Sequence, residues 1–362
     1  MALATQKHLL VYVKTTETCN LNCSHCFTSG SKGRKIYFDA FKTANWCNEL
    51  DTADNQIHFE YHGGEPMLAP MKDIMEFYNI TKNQWGDRCT HGITSNLVFK
   101  LKPEHIEFFK LLDGGFIGTS WDPNIRFANE KQRTLWENNV KALTSQGFQI
   151  KCFISVSVDV IKMQPKEIAD YMHSLGIAEI SYERLTHNGN ATINLDIFPH
   201  NRDLNDWWVL MHETTQGHPV SNGFLNTIYD KFDHGEMFSG TFCRDCEQKL
   251  HTINADGTVA GCPNAATTDW YGTIDMPAKT VRSSPKRAEI ISCELHDRDP
   301  RCYKCPVFLY CNSDCHQLEW IDDVCPAPKQ LMMTLAMEKG WLDSDQYEIE
   351  STSNNIPVKM VM

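Results

Sequence analysis

Three cysteines within eight residues, Cys19, Cys23 and Cys26, stand in a C-x3-C-x2-C arrangement. Three thiolates so spaced can converge on one metal site and leave one coordination position open. A tetrahedral structural zinc ion wants a fourth Cys or His, and His25 lies too close to Cys26 in sequence to supply it comfortably. A 4Fe-4S cluster held by only three cysteines instead keeps one iron free to bind a substrate. A second set crowds the C-terminal third: Cys243, Cys246, Cys262, Cys302, Cys305, Cys311, Cys315 and Cys325. Eight thiols are enough to saturate two further 4Fe-4S clusters, and a zinc ribbon is the alternative for the C-x2-C pair. Of the leftover cysteines, Cys47 falls on a helical pattern and Cys152 inside a strand pattern, where both read as small buried hydrophobes; Cys89 and Cys293 have no partner in either spacing.

The chain has 362 residues, 15 of them cysteine, with 41% hydrophobic and 22% charged residues, the composition of an ordinary globular protein. The N-terminal stretch MALATQKHLLVYVK carries lysines around its apolar run and no small-residue cleavage site, so it reads as a first strand rather than a signal peptide. No apolar run approaches the about 20 residues that span a bilayer. The expectation is a cytoplasmic protein with reduced thiols, in which the cysteines serve metal or catalysis rather than disulfides. A formal charge of −12 argues against a broad nucleic-acid footprint, the basic patch Lys32–Lys35 being too small to offset it.

From the N-terminus to about residue 185, apolar runs of strand length alternate with helical patterns, the signature of repeated βα units and a parallel sheet. Strands are expected over Leu9–Val13, Gln56–Tyr61, Thr90–Thr94, Phe116–Trp121, Gln149–Val156 and Glu179–Glu183, with helices over Phe38–Leu50, Met71–Asn83, Pro103–Leu112, Lys131–Gln146 and Pro165–Leu175. The fold class is α/β: a partial (β/α)6 TIM-like barrel over 1–200, then a helical bridge over 201–240 with helices at Asp203–Gln216 and Phe224–Phe232. A cysteine-rich region over 241–330 and a C-terminal helix and tail over 331–362 complete it. Leu250–Ile253 and Thr258–Gly261 flank Asn254–Gly257 as a hairpin. In a parallel barrel the chemistry sits at the carboxyl ends of the strands, where the first cysteine motif, His62-Gly63-Gly64-Glu65-Pro66, Thr94-Ser95-Asn96 and Ser120-Trp121-Asp122 all fall.

The C-x3-C-x2-C motif resembles that of the radical S-adenosylmethionine (SAM) family, with His25 where an aromatic residue usually precedes the last cysteine. Gly63-Gly64-Glu65 matches the family's GGE segment, which holds the SAM ammonium, and Ser120 and Asp122 look like its Ser-x-Asp at the fourth strand. The resemblance implies that the open iron chelates SAM and that one-electron reduction releases a 5′-deoxyadenosyl radical, with an electron donor such as flavodoxin or ferredoxin. The C-terminal spacing is similar to the SPASM extension of that family. It implies two auxiliary 4Fe-4S clusters, one held by Cys243, Cys246, Cys262 and Cys315, the other by Cys302, Cys305, Cys311 and Cys325, so three clusters in all.

Relatives with this extension mostly modify peptides, which makes hydrogen abstraction from a peptide or amino-acid-like carbon the first expectation. Rearrangement or oxidation of a sugar or an amino-acid-decorated nucleobase, as in DNA hypermodification, is the alternative; a non-enzymatic iron-sulfur carrier, which would not need the GGE segment, is the second. Pro263 and Asn264 stand where the similar sulfatase maturases carry a proton-removing aspartate, which argues against that activity. The chain also has only eighteen residues before Cys19, fewer than the leader-binding domain of many peptide crosslinkers. Tyr61, His62, Glu183, Arg184, His187 and Asn188, at strand ends, are the candidates to face the peptide or small-molecule substrate.

Overall fold

The computed structural model describes residues 8–28, 30–50, 56–234, 240–265 and 267–342. Strands β1 (His8–Thr16), β2 (Gln56–Gly63), β3 (Cys89–Thr94), β4 (Ile117–Ser120), β5 (Ile150–Val156) and β6 (Glu179–Arg184) pair in chain order, every pair parallel. Helices α1 (Ala40–Asn48), α2 (Met71–Trp85), α3 (Pro103–Phe109), α4 (Glu130–Thr144), α5 (Val158–Ile161) and α6 (Pro165–Ser174) alternate with them. Each of the six strands expected from the alternation is present, within a few residues of its expected bounds.

Strand alternation divides the side chains between two faces. Leu9, Val11 and Val13 of β1, Ile57, Phe59 and Tyr61 of β2, and Ile150, Cys152, Ile154 and Val156 of β5 are all buried. Phe59 and Tyr61 meet Phe77 of α2 with ring centroids 5.2 and 5.9 Å apart, so this row faces the helices. Tyr12, His62, Phe153, Ser155 and Glu183, of opposite parity, look to the other side, where the cavities lie. Polar caps start several helices: Asp39 accepts from Lys42 N before α1, Asn129 from Gln132 N before α4, and Ser157 from Val160 N before α5.

The sheet does not stop at six strands. A two-residue strand, β7 (Ser221–Asn222), joins β6 in parallel between α7 (Asn201–Thr215) and α8 (Gly223–His234). On the other side β8 (Leu250–Ile253) lies parallel to β1, pairing Leu10 with Leu250 and Val13 with Ile253. The expected hairpin follows, with β9 (Thr258–Ala260) antiparallel to β8 and Gly257 in the left-handed region at φ +81°, and β10 (Gly272–Thr273) closes that edge. The order is β10-β9-β8-β1-β2-β3-β4-β5-β6-β7, a sheet left open between its two ends. The cysteine-rich region is therefore hydrogen-bonded directly to the barrel. That region also holds α9 (Cys246–Lys249), just before β8, and α10 (Ala278–Arg282), α11 (Pro285–His296) and α12 (Phe308–Cys311), and it is followed by α13 (Lys329–Glu338), which packs on α7. The polar tail beyond residue 342 lies outside the described residues.

Candidate active site

Cys19, Cys23 and Cys26 sit on the loop after β1 and line one cavity of about 200 Å3 at the carboxyl ends of the strands. The backbone N–H of Leu21 points at Cys19 Sγ (3.4 Å), and those of Thr28 and Gly30 point at Cys26 Sγ (3.4 and 3.2 Å). Asn96 Nδ2 adds a donor 3.6 Å from Cys19 Sγ. Burial pushes the thiols of Cys19 and Cys23 up to about 11 and 12, so as free thiols they stay neutral. Donors aimed at sulfur and the cation of Arg126, which lowers Cys23, suit thiolates bound to metal.

The glycines after β2 hold this loop in place. Gly64 N donates to Thr16 O and Glu65 N to Thr18 O, both at 2.8 Å. A Cβ on Gly64 would lie 2.3 Å from Thr18 O and 2.6 Å from Glu17 O, and Gly63 has φ +134° with its missing Cβ aimed at Thr16 O. Only glycine lets the strand end approach the cysteine loop this closely. From the far side, Asn190 Nδ2 donates to Cys23 O (2.9 Å), Asn190 N to Cys26 O (2.7 Å) and Asn194 Nδ2 to Ser24 O (3.1 Å).

Of the residues expected to contact SAM, His25, Gly63, Gly64 and Ser120 line the cavity, together with Thr94, Ser95 and Asn96. Glu65 and Asp122 do not. Glu65 is fully buried and accepts from Met67 N (3.0 Å), Ser95 Oγ (2.8 Å) and Asn96 N (2.6 Å), tying the loop after β2 to the loop after β3. Asp122, also fully buried, accepts from Arg126 Nε and Ser155 N at 2.5 Å each and stands 3.4 Å from His25 Nε2. These carboxylates brace the wall rather than form it. Burial pushes His25 down to about 4 and His62 to about 3, and the Nδ1 atoms of both rings are buried without a hydrogen-bond partner.

The substrate-facing candidates separate by strand parity. His62 and Glu183 line the cavity. Tyr61 does not: one residue before His62, it points to the helices, fully buried, with its hydroxyl 3.2 Å from His91 Nδ1. Arg184 is ion-paired with Asp314, Nη2 lying 2.8 Å from Oδ1, and His187 stacks on Phe198 with centroids 4.0 Å apart. Asn188 donates to Asn264 O (2.8 Å) and Gln317 Oε1 (2.9 Å), clamping the chain after Cys262 to the chain after Cys315. Reasoning from sequence missed Tyr12, Arg126, Phe153 and Ser155 on the wall, and Lys14, whose Nζ donates to Pro263 O (3.0 Å). The strand alternation held the signal for Tyr12, Lys14, Phe153 and Ser155; nothing local pointed to Arg126.

The eight C-terminal cysteines fall into two sets. Cys243, Cys246, Cys262 and Cys315 line a cavity of about 370 Å3, and Cys302, Cys305, Cys311 and Cys325 line another of about 560 Å3. Among the described residues no three His, Cys, Asp or Glu side chains form a site for a single metal ion. Among the described residues no helix is long and apolar enough to cross a membrane.

No family model matches the chain. An uncharacterised protein of Methanocaldococcus jannaschii is 39% identical over 191 residues, covering 49% of this chain and 63% of that protein, so the match spans under two thirds of the relative's length. Among solved structures, anSMEcpe, an anaerobic sulfatase-maturating enzyme, with bound AdoMet and Cp18Cys peptide superposes with a TM-score of 0.75 at 16% identity, covering 92% of this chain and 97% of that one. SuiB of Streptococcus suis bound to S-adenosylmethionine gives 0.62 at 16% identity, covering 88% and 77%. A second SuiB structure, bound to its precursor peptide SuiA, gives 0.62 at 15% over 88% and 76%. An open parallel barrel continued by a cysteine-rich C-terminal region is thus the fold that this chain shares with radical SAM enzymes.

Proposed function

We propose that the chain is a radical SAM enzyme acting on a peptide or amino-acid-like substrate. The observation that carries the reading is the convergence of Cys19, Cys23 and Cys26 with Gly63, Gly64, Asn96 and Ser120 on one cavity at the strand ends. Cys19, Cys23 and Cys26 would hold a 4Fe-4S cluster, and the two C-terminal sets would hold auxiliary clusters. Holding SAM and reduced by a flavodoxin- or ferredoxin-type donor, the first cluster would supply radical chemistry, the abstraction of a hydrogen atom from a substrate carbon.

The chain's own residues prepare that step. Backbone N–H groups of Leu21, Thr28 and Gly30 stabilise thiolate charge, and the Glu65 clasp fixes Ser95 and Asn96 on the wall. Neutral His25 and His62 line the space that SAM would fill. Peptide as the substrate class draws support from the peptides in the anSMEcpe and SuiB structures. Pro263, whose carbonyl is held by Lys14, cannot act as a base, so a sulfatase-derived peptide should not become formylglycine. The test is release of 5′-deoxyadenosine by the anaerobic, reduced protein with SAM, abolished in Cys23→Ala; release at the parental rate in that variant would refute the reading.

A further inference from the structure

Glu183 is the one carboxylate on the wall of the first cavity among the described residues, and it also lines two neighbouring cavities. One is the cavity of Cys243, Cys246, Cys262 and Cys315; the other, about 220 Å3, is bounded by Ser181, Thr227, Gln317, Phe224 and Phe242. Strand parity puts Glu183 there, since Ile180 and Tyr182 of β6 are buried on the opposite face. The side chain is exposed to this cavity space, and desolvation by the surrounding protein raises its pKa.

No hydrogen bond or ion pair reaches it among the described residues, because its potential partners are committed. Lys151 is paired with Glu179 at 2.6 Å and Arg184 with Asp314. A carboxylate that faces a cavity with no protein partner is available to a cation or donor that enters it. Besides Arg184, whose charge is met by Asp314, the adjoining cavity supplies neutral polar groups and aromatic faces, a lining that suits an alkyl chain ending in an ammonium group.

We propose that Glu183 recognises a protonated amine on the substrate, whose alkyl part occupies the 220 Å3 cavity. The inference rests on the first cavity being the reaction site, and it restricts the substrate to amine-bearing molecules. Its test does not use the reaction. The full chain, purified anaerobically with its metal and supplied with SAM, is titrated with n-butylamine and, separately, butan-1-ol, with binding read by saturation-transfer NMR at neutral pH. n-Butylamine should bind at least about tenfold more tightly than the alcohol; Glu183→Gln should abolish the preference and Glu183→Asp should retain part of it, at wild-type iron content. Equal binding by the wild type, or a preference surviving in Glu183→Gln, would overturn the proposal. So would weakened SAM binding in Glu183→Gln, which would make Glu183 a cofactor contact. Failure of 5′-deoxyadenosine release would leave the amine preference standing, so the two readings fail separately.

Discussion

In the barrel, β1 to β6 satisfy one another's backbone groups through parallel ladders with one register shift, between Lys14 and Thr16, and among the described residues non-glycine positive φ is confined there to Leu97 and Asn124. Between Cys243 and Cys325 the same need is met by side chains. Buried Arg244 donates to the carbonyls of Glu294 (2.5 Å), Asp314 (3.0 Å), Cys293 (3.3 Å) and Asp297 (2.5 Å). Arg287 donates to Glu247 O (2.9 Å) and Asn312 to Phe242 O (3.2 Å). Here six non-glycine residues take positive φ, Asn312, Ser313 and Asp314 consecutively, on the turn that leads from Cys311 of one set to Cys315 of the other. A ladder holds itself; a chain bent around two cavities needs something to bend around, and thiol ligation is the natural supplier.

The sharpest way to break this contrast is to remove the metal. Chelation and oxidation of the holoprotein should raise amide hydrogen exchange between residues 243 and 325 by orders of magnitude while β2 to β5 keep their protection. Equal loss of protection in both regions would erase the distinction. Next in size, Arg244→Met strands four carbonyls and should cost about 4 kcal/mol, read as a lower denaturant midpoint for the C-terminal region alone. Gly64→Ala forces a Cβ into the backbone of the cysteine loop and should cost about 3 kcal/mol. With the three clusters proposed above there would be about twelve irons, of which the variant should lose about a third while the C-terminal sites stay filled; full iron content would show that the loop tolerates the side chain.

The smallest effect belongs to Glu65, whose carboxyl burial pushes up from 4.5 to about 7 despite its hydrogen bonds. The folded protein favours the neutral form, so this contribution is complete below about pH 4.5 and is lost as pH rises through about 7. Across pH 5.5 to 7.5 stability should fall by about 2 kcal/mol from this group. Glu65→Gln should start lower, having lost an acceptor, yet show a flatter profile over that window. An unchanged slope would remove Glu65 as its source.

What was legible in the sequence followed from periodicity and spacing. Alternation in Leu9–Val13 and Gln149–Val156 marked strands because one face must be buried; the division of the eight C-terminal cysteines into the sets that line separate cavities came from the family resemblance and not from spacing alone. The same alternation, pressed further, separates Tyr61 from His62, since neighbours on a strand cannot face the same side. The roles of Glu65 and Asp122 were not legible. Their partners include the backbone N–H groups of Asn96 and Ser155, some thirty residues away, which carry no side-chain signature. Nor was the pairing of β8 with β1, a contact between distant segments that no local pattern encodes.

That pairing bears on how the chain is made. β1 is a central strand with β2 on one edge and β8 on the other, yet β2 ends at Gly63 and β8 begins only at Leu250. During synthesis the β8 side of β1 presents unpaired N–H and C=O groups until nearly two hundred further residues have left the ribosome, a template on which a second nascent chain can add. At about 5–20 residues per second the exposure lasts on the order of 10–40 seconds. Production of the protein should therefore be sensitive to translation rate and chaperone supply in a way that its finished fold, with that edge covered, is not.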